Sequence, residues 1–354
     1  MTKNYPLTLY IIGDRIRKEK CGALPRTLYY GRDDFMADMP LEQLKQYMGT
    51  NPRPEDFDEY WVRALKEADE TDVNAEITES DFSVPGIKCM DMYFNGTRGG
   101  RVYAKLLIPQ NICGKAPAAL TFHGYSSGSN EWSNYLAAAY MGFVVAAMDC
   151  RGQGGKSSDR NPVDGNTFHG HIIRGLDDSN SDNLYFRQVF LDTVILAKTV
   201  MAMDIVDENR VAVYGGSQGG GLSLACAALV PEIKIAAVHY PFLADYKRVW
   251  QTGMTNGAYA ELKDYFRSFD PEHTREEEVF TKLGYIDIQH LADRIKAKVM
   301  IGVGLMDDTV PPSAQFAVYN KIKSEKKMAI YPDFKHEPLL GYSDKVYSML
   351  KELI

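Results

Sequence analysis

After Pro117 the chain settles into a rhythm of short apolar runs, each ending in a polar or glycine-rich loop: APAALTFHG, GFVVAAMDCRG, RVAVYGG, IKIAAVHYP, AKVMIGVGLMDD and KKMAIYPDF. Between most of them lie helix-like stretches. The clearest runs from Leu184 to Met203, with Phe186, Val189, Phe190, Val194, Ala197 and Met201 on one stripe. Continuous apolar strands alternating with helices predict a mostly parallel central sheet covered by helices on both faces. Upstream, VNAEITESDF, IKCMDMYFNG and RVYAKLLIPQ alternate in polarity and are separated by Pro85-Gly86 and by Gly96 to Gly100. That pattern predicts antiparallel strands leading into the main sheet. Asp56 to Glu70 opens on acidic residues and spaces Phe57, Tyr60, Trp61 and Leu65 as an amphipathic helix does.

Residues 1–35 show no clear period. They read as an N-terminal extension, disordered or not native, with Met36 as the functional beginning and 36–354 as the main domain. Residues 241 to about 290 fall between two sheet strands and are too long for one crossover, which predicts an insertion over the site. Tyr246, Trp250, Tyr259, Tyr265 and Phe266 within it are expected to pack the insertion onto the body, with stacking on a sugar ring as the competing role.

Composition narrows the classes. With 354 residues, 45% apolar and 25% charged, the chain is an ordinary globular protein able to bury a full core. A net charge of -7 argues against a basic field for nucleic acid or anionic membranes, so neither partner is expected. No run approaches the about 18 consecutive apolar residues of a membrane span. The opening MTKNYPLTLYIIGDRIRKEK lacks a small-residue cleavage site, and no signal peptide is read. Five cysteines, odd in number, scattered and without a C-x-x-C pair, fit the reduced thiols of a cytoplasm, with Cys226 a small core residue.

The candidate chemistry centres on VAVYGGSQGGGLSLACAAL, residues 211–229. An apolar strand runs into Gly215-Gly216-Ser217-Gln218-Gly219, and an alanine-rich helix follows. This is the context of a nucleophile elbow, in which a serine occupies a strained turn and flanking glycines let neighbouring backbones approach. A phosphate-cradling loop is the bland alternative, but the Lys-Ser/Thr of a P-loop and a G-x-G-x-x-G are both missing there. A serine hydroxyl needs a base, and the base an orienting carboxylate, which in this arrangement follow in the order Ser, Asp or Glu, His. Of the histidines after Ser217, His336 alone follows the last strand-like run. For the acid, Asp307 and Asp308 both lie just beyond an apolar strand; the one not facing the histidine would cap the helix beginning near Pro311-Pro312. An oxyanion needs two backbone donors, expected from Gln218 and from Tyr125 in TFHGYSSGSNEW. His123 in that loop reads as a hydrogen-bonded brace, and His169 with His171 lacks a third partner for a metal.

Three separated motifs, MDCRGQGG at 148–155, GGSQGG at 215–220 and His336-Glu337, carry a family resemblance. DFDEYW, YFNGTRGGRVYAKLLIP, HGYSSGSNEW, YPFLADYKR and GLMDDTVPPS agree with it. From about Met36 to the end the chain resembles the acetyl xylan esterases and cephalosporin-C deacetylases, carbohydrate esterase family seven, of the α/β-hydrolase superfamily. The resemblance implies an α/β-hydrolase fold and hydrolysis of acetyl esters from small acetylated carbohydrates or other alcohols, without a cofactor. It assigns the nucleophile to Ser217, the acid to Asp307 rather than Asp308, the base to His336 and the oxyanion donors to Tyr125 and Gln218. It adds Tyr125 and Pro241 as substrate-binding residues, a bracing role for Arg151, and a hexamer with sites facing an internal cavity. The chain departs from the family pattern at HEPLL and at PPSA, near the presumed site or its supporting helix. Two other readings use the same elbow: a serine peptidase of the prolyl-oligopeptidase type, for whose propeller the residues before Pro117 are too few, and a non-catalytic binding protein, which would usually lack a triad member.

Overall fold

A computed structural model describes residues 38–354 apart from 169, 170 and 256. The expected extension 1–35 and His169 therefore lie outside the described residues. Nine strands of the described residues form one sheet: β1 (Glu76–Glu79), β2 (Ile87–Asn95), β3 (Arg101–Pro109), β4 (Ala116–Phe122), β5 (Val144–Met148), β6 (Val206–Gly216), β7 (Ile235–His239), β8 (Lys298–Gly304) and β9 (Lys326–Tyr331). Their spatial order is β1-β2-β3-β5-β4-β6-β7-β8-β9. The β1–β2, β2–β3 and β3–β5 pairs are antiparallel, and every pair from β5–β4 to β8–β9 is parallel. The expected first strand shrinks to four residues, all exposed, because an edge strand with Glu76 and Glu79 has no apolar face to bury.

The helices are α1 (Leu41–Leu44), α2 (Phe57–Asp69), α3 (Leu136–Tyr140), α4 (Tyr185–Met201), α5 (Gln218–Leu229), α6 (Tyr246–Thr252), α7 (Ala260–Phe269), α8 (Glu276–Leu283), α9 (Pro312–Lys321) and α10 (Tyr342–Leu350). Alternate residues of the central strands enter different cores. Val144, Ala146 and Met148 of β5 join the core holding α2, α4 and α5, while Val145 and Ala147 join the core holding α3 and α10. A strand with both faces covered must be apolar at every position, which is why these runs show no period-two alternation. In α4 the expected stripe is present, but the whole helix is nearly buried and carries Arg187, Gln188, Asp192 and Thr193 inward as well. Those polar positions find partners: Gln188 accepts from the Thr97 hydroxyl at 2.7 Å, and Arg187 meets Glu67 at 2.8 Å.

Between β7 and β8 the chain adds α6, α7, α8 and tight helical turns as far as Arg294. Tyr246, Tyr259, Tyr265 and Phe266 are buried there, and Trp250 packs against Phe266 at 4.5 Å between centroids. These rings hold the segment down. Asp245, fully buried at φ +49°, ties the segment to an earlier loop. Its carboxylate accepts from Thr50 N at 3.0 Å, Asn51 N at 2.8 Å and the Tyr47 hydroxyl at 2.7 Å. The Asp245 N–H in turn donates to Asp287 at 2.9 Å.

Burial first, and then the charge of Asp245, push Asp287 up from 3.8 to about 7. A carboxyl whose folded value is raised binds more protons folded than unfolded, so its contribution is full below the unfolded value and is lost as pH rises toward the folded one. Asp287→Asn removes that term. The difference in Tm, variant minus parent, is expected to rise between about pH 4 and pH 7. A difference that stays flat across this window in a thermal-melt series contradicts the assignment.

Candidate active site

Ser217 stands between the end of β6 and the start of α5 with φ +55° and ψ −123°, a conformation that non-glycine residues rarely hold. Three backbone hydrogen bonds fix it: its N–H donates to His239 O at 3.1 Å, and its carbonyl accepts from Gly221 N and Phe242 N, both at 3.0 Å. The glycines answer to neighbours. A Cβ at Gly219 would lie 2.0 Å from Phe122 O, and one at Gly216 would lie 2.2 Å from His239 Nε2. Side chains are thus excluded on both sides of the serine.

The loops after β8 and β9 meet Ser217. His336 Nε2 lies 3.1 Å from Ser217 Oγ, and His336 Nδ1 lies 2.9 Å from Asp307 Oδ2. The carboxylate accepts, so Nδ1 carries the proton and Nε2 is left to accept from the serine hydroxyl. Asp307 is fully buried, and its other contacts are all with donors: Thr309 N at 3.0 Å, Val310 N at 2.8 Å and Gln315 Nε2 at 3.2 Å. Asp308 instead points outward to Lys335 at 3.0 Å. It does not cap the following helix. That place belongs to Asp38, whose carboxylate accepts from Ser313 N at 2.7 Å and pairs with Arg248 at 2.5 Å. A cap from so distant a residue leaves no local sequence signal.

Tyr125 follows β4 on the other side of the serine. Among the described residues, neither its backbone N–H nor that of Gln218 is taken by a backbone acceptor. The Tyr125 hydroxyl accepts from His171 N at 2.6 Å, and burial pushes that phenol well up. The two N–H groups belong to separate loops, and Gln153 joins them: its Oε1 accepts from Ser126 N at 2.9 Å, and its Nε2 donates to Gln218 Oε1 at 2.9 Å. Gln153 Nε2 also lies 3.1 Å from the Tyr185 hydroxyl. This clamp was not anticipated, although Gln153 lies inside the RGQGG stretch. Its neighbour Arg151 is buried and holds Asp192 of α4 through Nε at 2.6 Å and Thr97 O through Nη1 at 2.8 Å. The bracing role expected of its guanidinium matches these bonds.

His123 braces its loop by accepting from Cys150 N at 2.9 Å. His171 stacks on Tyr185 at 4.7 Å, and no group of three potential metal ligands occurs among the described residues. His239 was not singled out by the sequence reading. Its ring lies under Gly216, and burial, with the charge of His336, brings it down to about 4, so it is neutral at neutral pH. The cavity at the serine has a volume of about 510 Å³ and is lined by Tyr240 rather than by its neighbour Pro241. The Pro241 Cα packs toward Gly220 at the start of α5, 3.3 Å from where a Cβ would stand. Nor do the aromatic residues 246–266 line the cavity.

A serine on a strained strand-to-helix turn, with an acid and a histidine after later strands of a mostly parallel sheet, defines the α/β-hydrolase fold with a nucleophile elbow. Within that class the chain belongs to the acetyl xylan esterase (AXE1) family, whose model matches residues 35–353. It is similar to the solved acetyl xylan esterase 1 of Thermoanaerobacterium sp. JW/SL YS485, with 55% identity, 89% of this chain and 99% of that chain covered, and a TM-score of 0.88. An acetyl xylan esterase from Paenibacillus sp. R4 shares 34% identity over 89% of this chain and 100% of its own, with a TM-score of 0.85. Among curated proteins, acetyl esterase Axe7A of Xylanibacter ruminicola is 28% identical over 301 residues, 83% of this chain; the chain spans 65% of that relative's length.

The close approach at Gly219 gives a direct test. Gly219→Ala drives a methyl group into Phe122 O and is expected to destabilise the fold by about 1–3 kcal/mol or more, read as a drop in Tm. A variant as stable as the parent contradicts the packing described.

Proposed function

We propose that the chain is a serine esterase that removes acetyl groups from small acetylated substrates, such as acetylated xylo-oligosaccharides and cephalosporin C. The observation that carries this reading is the relay Ser217–His336–Asp307, with consecutive contacts of 3.1 and 2.9 Å, whose serine and histidine line a cavity. The family and the names of its relatives support the acetyl specificity.

In the proposed reaction His336 Nε2 takes the Ser217 proton as Oγ attacks the acetyl carbonyl. The backbone N–H groups of Tyr125 and Gln218 receive the oxyanion, helped by the positive end of α5. His336 then gives its proton to the leaving alcohol. Water, losing its proton to the same histidine, attacks the acetyl-enzyme and releases acetate and Ser217. Asp307 keeps the imidazole in its working tautomer and stabilises the imidazolium. Protein groups and water suffice, so no cofactor enters.

The remaining features form part of the same reading. Residues 36–354 act as one hydrolase domain with an insertion at about 241–290, and residues 1–35 as an extension. The enzyme works as a hexamer in the cytoplasm, as its family resemblance and cysteine usage suggest; no helix of the described residues is long and apolar enough to cross a membrane. Loss of any triad member marks a non-catalytic relative, and here the hydrogen-bonded relay favours the enzyme.

Rates on matched acetyl, butyryl and octanoyl esters test the proposal. Turnover is expected to be fastest with acetyl and to fall by about 10^4–10^6 in Ser217→Ala. A loss below tenfold removes Ser217 as nucleophile, and a preference for octanoyl removes the deacetylase. Gln153→Ala leaves the relay in place but removes one link between the two oxyanion loops, while Gln218 Nε2 still donates to His123 O at 3.3 Å. Its kcat is expected to fall by about 10–100-fold with KM changing less; an unchanged kcat would show that the clamp does not position the donors.

A further inference from the structure

β7 ends at His239, and the next residue, Tyr240, has φ +34°, a region that aromatic residues seldom occupy. Its N–H donates to Gly302 O at 2.8 Å, which ties this turn to β8. In a continuing strand, successive side chains point to opposite faces of the sheet. The positive φ breaks that alternation. The rings of His239 and Tyr240 lie against each other instead, nearly perpendicular at 87° with centroids 4.3 Å apart. Tyr240 also packs on His336, with centroids 4.2 Å apart and ring planes at 49°. Among the described residues it carries the one aromatic ring packed on that imidazole. Backbone strain of this kind persists only where the surroundings over-determine it, and it collects at functional sites. Burial, and then the charge of Asp307, push the Tyr240 phenol up to about 12, so the buried ring is uncharged at neutral pH. What it offers His336 is contact rather than proton transfer.

His336 stands in the loop between β9 and α10, and its side chain is 20% exposed. The torsion that turns an imidazole about its Cβ–Cγ bond has broad minima, so the ring's orientation depends on what it touches. In the free enzyme three contacts define it: Asp307 at Nδ1, Ser217 Oγ at Nε2, and Tyr240. Acylation removes one of them. Once Nε2 has passed the serine proton to the leaving alcohol, Oγ is an ester oxygen bonded to the acetyl carbon. Neither Oγ nor Nε2 then carries a hydrogen, so no hydrogen bond can join them. Asp307 still anchors Nδ1, but one hydrogen bond is a pivot about which the ring can tilt.

We propose that Tyr240 is a positioning residue for the second half of the reaction: it keeps the His336 imidazole aimed while the serine is acetylated, so that Nε2 can take a proton from the attacking water. In that step the water oxygen bonds to the acetyl carbon as its proton moves to Nε2. The proton then passes to Oγ as the bond between Oγ and the acetyl carbon breaks, and acetic acid departs. The assignment rests on the serine-esterase reading and deepens it, because it makes the two half-reactions unequal in their need for Tyr240.

The test uses p-nitrophenyl acetate, whose nitrophenolate reports acylation in the first turnover and deacylation in the steady state. In Tyr240→Leu the ratio of the deacylation rate to the acylation rate is expected to fall by at least about fivefold relative to the parent. kcat and KM then fall together, and the acetylated protein accumulates in quenched samples read by mass spectrometry. Hydroxylamine, a stronger nucleophile than water that depends less on a base, is expected to raise the steady-state turnover of Tyr240→Leu more than that of the parent. Tyr240→Phe keeps the ring and is expected to keep the parental ratio. Tyr240→Asn removes the ring with a side chain that tolerates positive φ, and it takes the place of Tyr240→Leu if that variant does not fold. A smaller change in the ratio in the folded variant overturns the assignment, and so does a loss in Tyr240→Phe equal to that in Tyr240→Leu. Failure of the esterase reading shows separately, as hydrolysis by the parent no faster than by Ser217→Ala.

Discussion

The site depends on one residue being held where its backbone would not choose to be. Ser217 at φ +55° costs on the order of 1–3 kcal/mol, a strain that persists only where surrounding bonds over-determine it. Here three of them do, from His239, Gly221 and Phe242. The constraint propagates outward. With the serine turned up from the sheet, α5 must start immediately beneath it, and this brings Gly219 against the backbone of β4 and Gly216 against the His239 ring. The glycines are thus a consequence of the serine's conformation: they do not take up the strain themselves, since none of them has a positive φ. They remove the atoms that the strain would otherwise push into neighbours.

A second layer of fixed polar groups keeps the loops around the serine in register. Arg151 is taken wholly out of water, which is tolerable only because Asp192 and Thr97 O meet its guanidinium. The pair links the end of β5 to α4 and to the turn before β3. On this base, Gln153 spans the gap between the β4 loop and α5. An amide is suited to the task because its acceptor and donor ends serve two loops at once, Ser126 N on one side and Gln218 Oε1 on the other.

Much of this was legible because the strands of a parallel sheet deliver their loops to one edge. Apolar runs located β4 to β9, and the residues just beyond them included Ser217, Asp307, His336 and Tyr125. The choice between Asp307 and Asp308 was not legible from the residues alone, since adjacent side chains differ only in direction. The structure separates them by burial, one with three N–H donors and the other with Lys335. Asp38 at the α9 terminus, Gln153 and His239 escaped for a related reason: each acts on a partner far away in the chain, and spacing carries no information about such pairs. Pro241 was carried by analogy, and here the cavity wall is formed by Tyr240 next to it. The aromatic residues of 246–266 show the opposite bias, being conspicuous in sequence yet spent on packing.

His336 lies at the border of two regions that treat polar groups differently. Toward Asp307, the carboxylate is met by Thr309 N, Val310 N, Gln315 Nε2 and the imidazole, so it and the imidazole are held in one arrangement. Matching of this kind is what immobilises a buried polar network. Toward the cavity, the side chains of Asn130, Asn134 and Ser343 stand exposed to water. A relay that must keep its geometry through two proton transfers belongs in the first environment. The imidazole connects them because its two nitrogens face opposite ways: Nδ1 is committed to Asp307, and Nε2 faces Ser217 Oγ.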